Sequence, residues 1–536
     1  MLTKRDKKNK EKLIQSFGNI KNDSFDFEQI ESYFRKKDKS NAFQTLSDKT
    51  CNDLDFDELF MFVDRTNSKV GQQYLYNKLR TIPANSIGNE LDEKLINEFT
   101  DNPNFRLTIQ NHLAKLDKRE AYYISSLFQE EHIQRPKWYF IIPLLSFTSL
   151  FSLIMSFFNP KLILVLLGVF VVNLAIHYWN KKNLYQYLGS IPQLLKLNNI
   201  ARELFRQQPL KEINLQLATS ISVIDKVRNR MSFFNLETKL QSDIQTFFWM
   251  IFELYKILFL LEPLLLFDAL KKLDTKRKEI EDVFVFVGQI DSLISIASLR
   301  KGSDGYCLPK ILDEQQKLVA KEIYHPLIYN CIKNSINLNK KSILLTGSNM
   351  SGKTSFIRTI GINVIIGLTL NTCFAEEFSM PRLRIYSAIR ISDDLLNDKS
   401  YYFEEVLTIK DMIDNCATKE PNIFLLDEIF KGTNTVERIS AGKAVLSALA
   451  KNNLVFVSTH DIELADLLKN EYELYHFSEN VNNKTVDFDY KLKDGKLKNR
   501  NAIRILQIND YPEDIISEAI EISKKLDKTY QPEFVE

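Results

Sequence analysis

The sequence predicts a chain that is helical up to about residue 310, with an apolar helical hairpin set into that region, followed by an α/β domain on a mostly parallel sheet. Three observations predict this. Two uncharged apolar runs, Trp138 to Phe158 and Leu162 to Trp179, are separated by a turn at Asn159-Pro160. Residues 183 to about 310 keep a long helical periodicity with few glycines. From about Lys341, short β-rich runs alternate with helical stretches, as a parallel sheet with crossover helices requires.

Taken in order, residues 1–135 read as an N-terminal helical region, 136–182 as the hairpin and 183–310 as further helical arms. Residues 311–500 read as the α/β domain and 501–536 as a C-terminal helical segment. The formal net charge is only +2, so total charge gives no argument for a nucleic-acid partner. Five cysteines form no C-x-x-C pair, which removes the usual zinc and redox motifs. The charged N-terminus has no apolar core of a signal peptide.

Each run of the hairpin is long enough to cross a hydrocarbon core of ~30 Å as a helix. Arg135 and Lys137 precede it, and Lys181 and Lys182 follow. The positive-inside tendency puts both ends in the cytoplasm, with Lys161 near the outer turn as a mild exception. Trp138, Tyr139, Tyr178 and Trp179 stand where interfacial aromatics belong. The expectation is a multi-pass protein of the cell (inner) membrane, with the bilayer as a partner and both large parts cytoplasmic. The plainer alternative is a buried helical hairpin. A third apolar stretch, Phe247 to Leu270, carries Glu253, Lys256 and Glu262. At about 2.5–3.5 kcal/mol per charge at a bilayer centre, it reads as a core helix or one lying along the membrane surface.

The strongest chemical signal is Gly347-Ser348-Asn349-Met350-Ser351-Gly352-Lys353-Thr354, which fits G-x-x-x-x-G-K-[ST]. An apolar strand precedes it and a helical pattern follows from Ser355. The glycines let backbone N–H groups close around phosphates, and the helix N-terminus adds positive potential. Lys353 is expected on the β- and γ-phosphates of ATP, and Thr354 on Mg²⁺. Downstream, Ile423-Phe424-Leu425-Leu426 ends in Asp427 and Glu428. Asp427 is expected at the Mg²⁺ and Glu428 as the base that polarises the attacking water. A third apolar strand, Val455 to Thr459, ends at His460, placed to bond the γ-phosphate or that water. Ser400 precedes a helical stretch, where a helix N-terminus makes an anion site.

Thr346 to Thr354 resembles the T-G-P-N-M-x-G-K-S/T of the MutS family of DNA mismatch-repair ATPases, with Ser348 for the usual Pro. Tyr324-His325-Pro326 resembles its R-H-P. Asp393-Asp394-Leu395 with Ser400 and Glu405 resembles its D-D-L and S-x-F-x-x-E signature. Asp427 to Thr433 resembles D-E-I-G-R-G-T, with Phe430 for Gly and Lys431 for Arg. Thr459-His460 matches its T-H, and Ala502 to Ala519 is similar to its terminal helical dimerisation segment. Upstream, Asn52 to Asp55, Asp64 to Thr66 and Gly71 to Tyr76 resemble the start of the family's lever domain.

The resemblance implies lever-like helical arms and an ABC-type P-loop domain. It also implies a homodimer through the ATPase domain, with Ser400 facing the partner's nucleotide, and action on DNA. The family's N-terminal mismatch-reading domains have no counterpart in this sequence, and the apolar hairpin falls where other members have soluble lever. Two functions stay open: a membrane-anchored ATPase acting on DNA in repair or recombination, or a membrane mechanoenzyme acting on lipid or protein. A nucleotide-binding scaffold without turnover is the third, against which Glu428 argues.

Overall fold

The computed structural model describes residues 4–84, 89–227, 246–348, 350–390, 401–416, 420–481 and 486–497, and beyond them 503, 506–507, 509 and 511–529. They divide into two compact units. One comprises Met1–Asn41, Phe60–Arg80 and Gly88–Gly302, the other Ala42–Leu59, Thr81–Ile87 and Ser303–Glu536.

The first unit is helical. Its elements include α1 (Phe27–Lys36), α2 (Lys69–Arg80), α3 (Glu90–Asp101), α4 (Ile141–Met155) and α5 (Leu162–Phe205). After these come α6 (Thr246–Phe259), α7 (Leu261–Leu273) and α8 (Arg277–Lys301). The core lies along α8, whose residues from Ile290 to Arg300 are all buried. It packs on α2 and α3. The approach to α2 is close enough that a Cβ at Gly71 would stand 2.2 Å from the Asp291 carboxylate, so only glycine fits. That buried carboxylate accepts from the backbone N–H groups of Asn67 and Ser68, both at 2.8 Å, and from the Ser68 hydroxyl at 2.6 Å. It thereby satisfies donors that α2 leaves unpaired at its start.

The apolar runs fold as α4 and the first half of α5, which pack on each other. By length and composition, Lys137–Met155 and Leu162–Lys181 are long and apolar enough to cross a membrane. Their burial is inverted. Phe147, Phe151, Leu164 and Val171 are exposed, whereas Ser149, Ser152, Asn173, His177 and Asn180 are buried. Past the expected end of the hairpin at residue 182 the helix continues, so that α5 runs unbroken for 44 residues, about 66 Å at 1.5 Å per residue. The Lys181-Lys182-Asn183 sequence contains no glycine or proline to stop it. A third apolar stretch of sufficient length, Leu261–Lys301, is mostly buried within the unit.

The second unit holds two main sheets. Strands β1 (Lys310–Leu312), β2 (Lys317–Ile323), β3 (Asn334–Asn339) and β5 (Glu377–Pro381) form one, in the order β1-β5-β2-β3. The other contains β4 (Ser342–Thr346), β6 (Arg384–Ala388), β7 (Asn422–Asp427), β8 (Leu454–Thr459), β9 (Tyr472–His476) and β10 (Lys493–Asp494). Its order is β10-β9-β4-β8-β7-β6, all parallel except β10. Strands β4 and β8 are buried at every position, as a sheet covered on both faces requires. Helices α9 (Lys353–Leu370), α10 (Tyr401–Asn415) and α11 (Thr435–Leu449) follow β4, β6 and β7, and α12 (Glu513–Thr529) ends the described chain.

One sequence expectation changes here. Asn52 to Asp55, read as the start of the lever, belong to this second unit. Asp53 accepts from the N–H groups of Ile389 (3.1 Å) and Arg390 (2.8 Å) and from the Ser387 hydroxyl (2.7 Å), and Asp55 pairs with Arg358 at 3.0 Å. The turn at Lys493 to Lys496 brings β10 antiparallel to β9.

Candidate nucleotide site

Parallel register brings the site together. Thr346 pairs with Thr459 on one side and His476 on the other, and Ser458 pairs with Asp427. The carboxyl ends of β4, β7 and β8 therefore open on one edge, where ligands bind in open parallel sheets. From that edge leave the 347–352 loop, Glu428 and His460.

Gly352 closes the loop at φ +107°, a left-handed conformation that strains any residue with a Cβ. It delivers the chain into α9, whose first residue is Lys353. The Lys353 ammonium is buried and donates to the carbonyls of Gly347 at 2.8 Å and Ser348 at 2.9 Å. Burial lowers its pKa, with partial opposition from Glu428 and Asp427. Ser351 donates to the Ser348 carbonyl at 2.8 Å, and Ser348 bonds the Glu479 carboxylate. Ser355 lies in the first turn of α9. Asn349 and Ser400 lie outside the described residues, as do Asp393 to Leu395.

At the second residue of α9, the Thr354 hydroxyl donates to Asp427 Oδ2 at 2.8 Å, and Ser458 bonds Asp427 Oδ1. A hydroxyl and a carboxylate meeting at a phosphate-binding loop fit Mg²⁺, a hard cation that takes few protein ligands and completes its shell with water and phosphate oxygen. Glu428 follows at φ +53°, its N–H donating to the Ser458 carbonyl at 3.0 Å. His460 Nε2 lies 2.7 Å from Glu428 Oε1, and Lys431 Nζ 2.8 Å from Oε2. Burial pushes this carboxyl up, but the His460 and Lys431 hydrogen bonds outweigh it and hold the pKa at about 2. The buried Glu405, on α10, accepts from the Phe430 N–H and so fixes the backbone just after Glu428.

A cleft of about 540 Å³ joins these groups. It is lined by Ser348, Met350 to Phe356 and Glu428, and on its far side by Tyr324, Ile328 to Ile332, Phe477 and Tyr490. Its size suits a nucleotide. His325 is buried at the neighbouring turn, where burial pushes its pKa down to about 4, so it is neutral at physiological pH.

A family model described as MutS domain V matches residues 343–527. The DNA mismatch repair protein MSH3 of Saccharomyces cerevisiae (strain YJM789) is 28% identical over 294 residues, which is 52% of this chain and 29% of that protein. The DNA mismatch repair protein MutS of Aquifex pyrophilus is 27% identical over 271 residues, 48% of this chain and 31% of that protein. That of Listeria monocytogenes serotype 4a is 29% identical over 256 residues, 45% of this chain and 29% of that protein. Residues 343–527 are thus similar to MutS domain V, and the matched relatives are DNA mismatch repair proteins. The match spans less than a third of the length of these curated relatives.

Within residues 343–527, Lys353, Thr354, Asp427, Glu428 and His460 lie together at one sheet edge. Four participants escaped sequence reasoning. Lys431 was visible as a cation three residues after Glu428. Glu479, Tyr329 and Tyr490 carry no local signal, because the fold alone brings them to a loop many residues away. Tyr490 is anchored there by Asn334, whose amide donates to its carbonyl at 3.1 Å and accepts from the Leu492 N–H at 2.8 Å.

Proposed function

We propose that this chain is a membrane-anchored ATPase that binds MgATP in the 540 Å³ cleft, hydrolyses it as a homodimer and acts on DNA. The observation that carries the reading is the convergence of Lys353, Thr354, Asp427, Glu428 and His460 at one sheet edge. In the proposed mechanism, N–H groups of the loop and Lys353 hold the phosphates. Thr354 and Asp427 would hold Mg²⁺, which would supply neutralisation of developing phosphate charge. Glu428 orients and polarises the lytic water, and His460 and Lys431 fix the position of its carboxylate. The base would find room between the 323–334 segment and Tyr490. Ser400 would reach the partner's nucleotide.

The membrane reading is supported by the inverted hairpin, whose apolar side chains face outward and whose polar ones face inward. An outward face of this kind in water would be a large apolar patch, uncommon on soluble monomers. Action on DNA is supported by the names of the relatives and by the helical first unit. The near-neutral net charge and the hairpin favour the second reading, an engine that works on lipid or protein.

The test is ATP turnover by the detergent-solubilised full chain, without DNA and with mismatched or branched DNA at low and high salt. Turnover that responds to DNA, with salt-weakened binding, supports the first reading. Turnover stimulated by lipid and indifferent to DNA selects the second. No turnover under any condition overturns both.

A further inference from the structure

A helix that ends inside hydrocarbon leaves carbonyls without partners, each costing several kcal/mol. Helix α6 ends at Phe259, Leu260 turns the chain at φ +47°, and α7 starts at once with Pro263 in its first turn. Leu260 is fully buried. The carbonyl released at this break is not orphaned, because Asn173 of α5 donates to the Leu258 carbonyl at 2.8 Å. The same amide lies 3.2 Å from the Ser149 hydroxyl of α4, and Asn173 and Ser149 are both fully buried.

The charges of this stretch are paired in the same way. Lys256 Nζ lies 2.6 Å from Glu262 and 2.7 Å from Glu253. His177 of α5 stands between the two carboxylates, at 3.4 and 3.5 Å, and Lys181 lies 3.5 Å from Glu253. Two carboxylates thus face two ammonium groups, and the charges that argued against membrane entry nearly cancel in place. Met250, Ile251, Leu254 and Tyr255 turn outward, about half exposed. They extend the outward apolar band of α4 and α5, on which α6 packs.

We propose that Thr246–Leu273 is a re-entrant helical hairpin embedded in the cytoplasmic leaflet, with lipid acyl chains on its outward face. The inference rests on the membrane-anchoring reading. Trp138 and Trp179 pack at 5.0 Å and mark the cytoplasmic level. Asn173, which holds the tip at Leu258, is six residues below Trp179, so that tip lies about 9 Å deep at 1.5 Å per residue. That stops short of the midplane of a ~30 Å core. Non-helical backbone at such depth is tolerated where protein buries it, as α4 and α5 do here.

The test is carbene labelling of the full chain, reconstituted in phosphatidylcholine vesicles, with a diazirine reagent that partitions into acyl chains. Labelled positions are read by peptide mass spectrometry, with the exposed Leu215 as the aqueous control. The expected result is label at Met250 to Tyr255 equal to that at Leu164 to Val172, with Leu215 at background. Label on α4 and α5 with none on 250–255 overturns the re-entrant hairpin and leaves the anchor standing. Loss of label from all three helices overturns the anchor as well.

Discussion

His460 Nε2 and Glu428 Oε1 stand 2.7 Å apart, although 32 positions of sequence separate them. The two residues leave adjacent parallel strands, β8 and β7, at the same edge. Together with Lys431 on the other carboxylate oxygen, His460 fixes both the charge and the direction of the Glu428 carboxylate. Removing His460 leaves the loop and its lysine intact. His460→Ala is expected to lower kcat by roughly 10²-fold, the usual scale for a positioned proton-transfer group. Nucleotide affinity should stay near that of the parent chain. Steady-state turnover with parallel nucleotide titration checks this, and a loss confined to affinity would place His460 elsewhere in the cycle.

Lys353 is a buried ammonium facing two backbone carbonyls, and in the proposed function it would exchange those partners for the charged oxygens of a triphosphate. Hydrogen bonds to charged groups contribute about 1.5–3 kcal/mol each, so Lys353→Ala should weaken ATP binding by at least roughly tenfold. A fluorescent ATP analogue measures it. Unchanged affinity would remove Lys353 from the phosphate site.

The pH dependence of stability follows from Glu428, whose folded pKa of about 2 lies below its ordinary 4.5. A depressed carboxyl contributes its stability in full above pH 4.5 and loses it as pH falls toward about 2. Lys431→Ala removes one of the two donors that depress it. Between those pH values, the unfolding midpoint in denaturant should therefore fall less steeply in Lys431→Ala than in the parent chain. Parallel slopes would show that the pairing is not the source.

Asp53 anchors the 42–59 segment to the edge strand β6 through three hydrogen bonds from Ser387, Ile389 and Arg390. It is fully buried. Asp53→Ala leaves those donors unpaired, at about 1–3 kcal/mol for each that finds no water. The expected result is a lower unfolding midpoint with an unchanged denaturant slope. A neutral substitution would mean that the segment is held by its other contacts, among them the Asp55–Arg358 ion pair.

In the first unit, Asn173→Leu keeps the apolar character of α5 and removes the donor to Leu258. Interhelical hydrogen bonds in membranes are worth on average about 0.6 and at most about 1.7 kcal/mol. A loss of that size in detergent stability, with faster proteolysis near Leu260, is expected. Neither change would indicate that the helix break is stable without this bond.

The sheet and the residues that cluster at its edge were legible because each is local. A buried parallel strand must be a short apolar run, and the polar residue that ends it is next in sequence, as with Leu426-Asp427-Glu428 and Ser458-Thr459-His460. The long-range additions were not legible. Nothing around Asp53 announces that it bonds Arg390, and nothing around Tyr490 places it against Gly352, because both depend on packing across more than a hundred residues. The ion pairs of Lys256 with Glu253 and Glu262 were not legible either, because sequence counts charges singly and only the fold pairs them.

The account rests most directly on Glu428, and the decisive measurement is ATP turnover of Glu428→Gln beside the parent chain, with bound nucleotide identified after rapid desalting. The prediction is a turnover lower by about 10²–10⁴-fold with unhydrolysed ATP retained on the protein. Turnover equal to that of the parent chain would contradict the assignment of this edge as the site of hydrolysis.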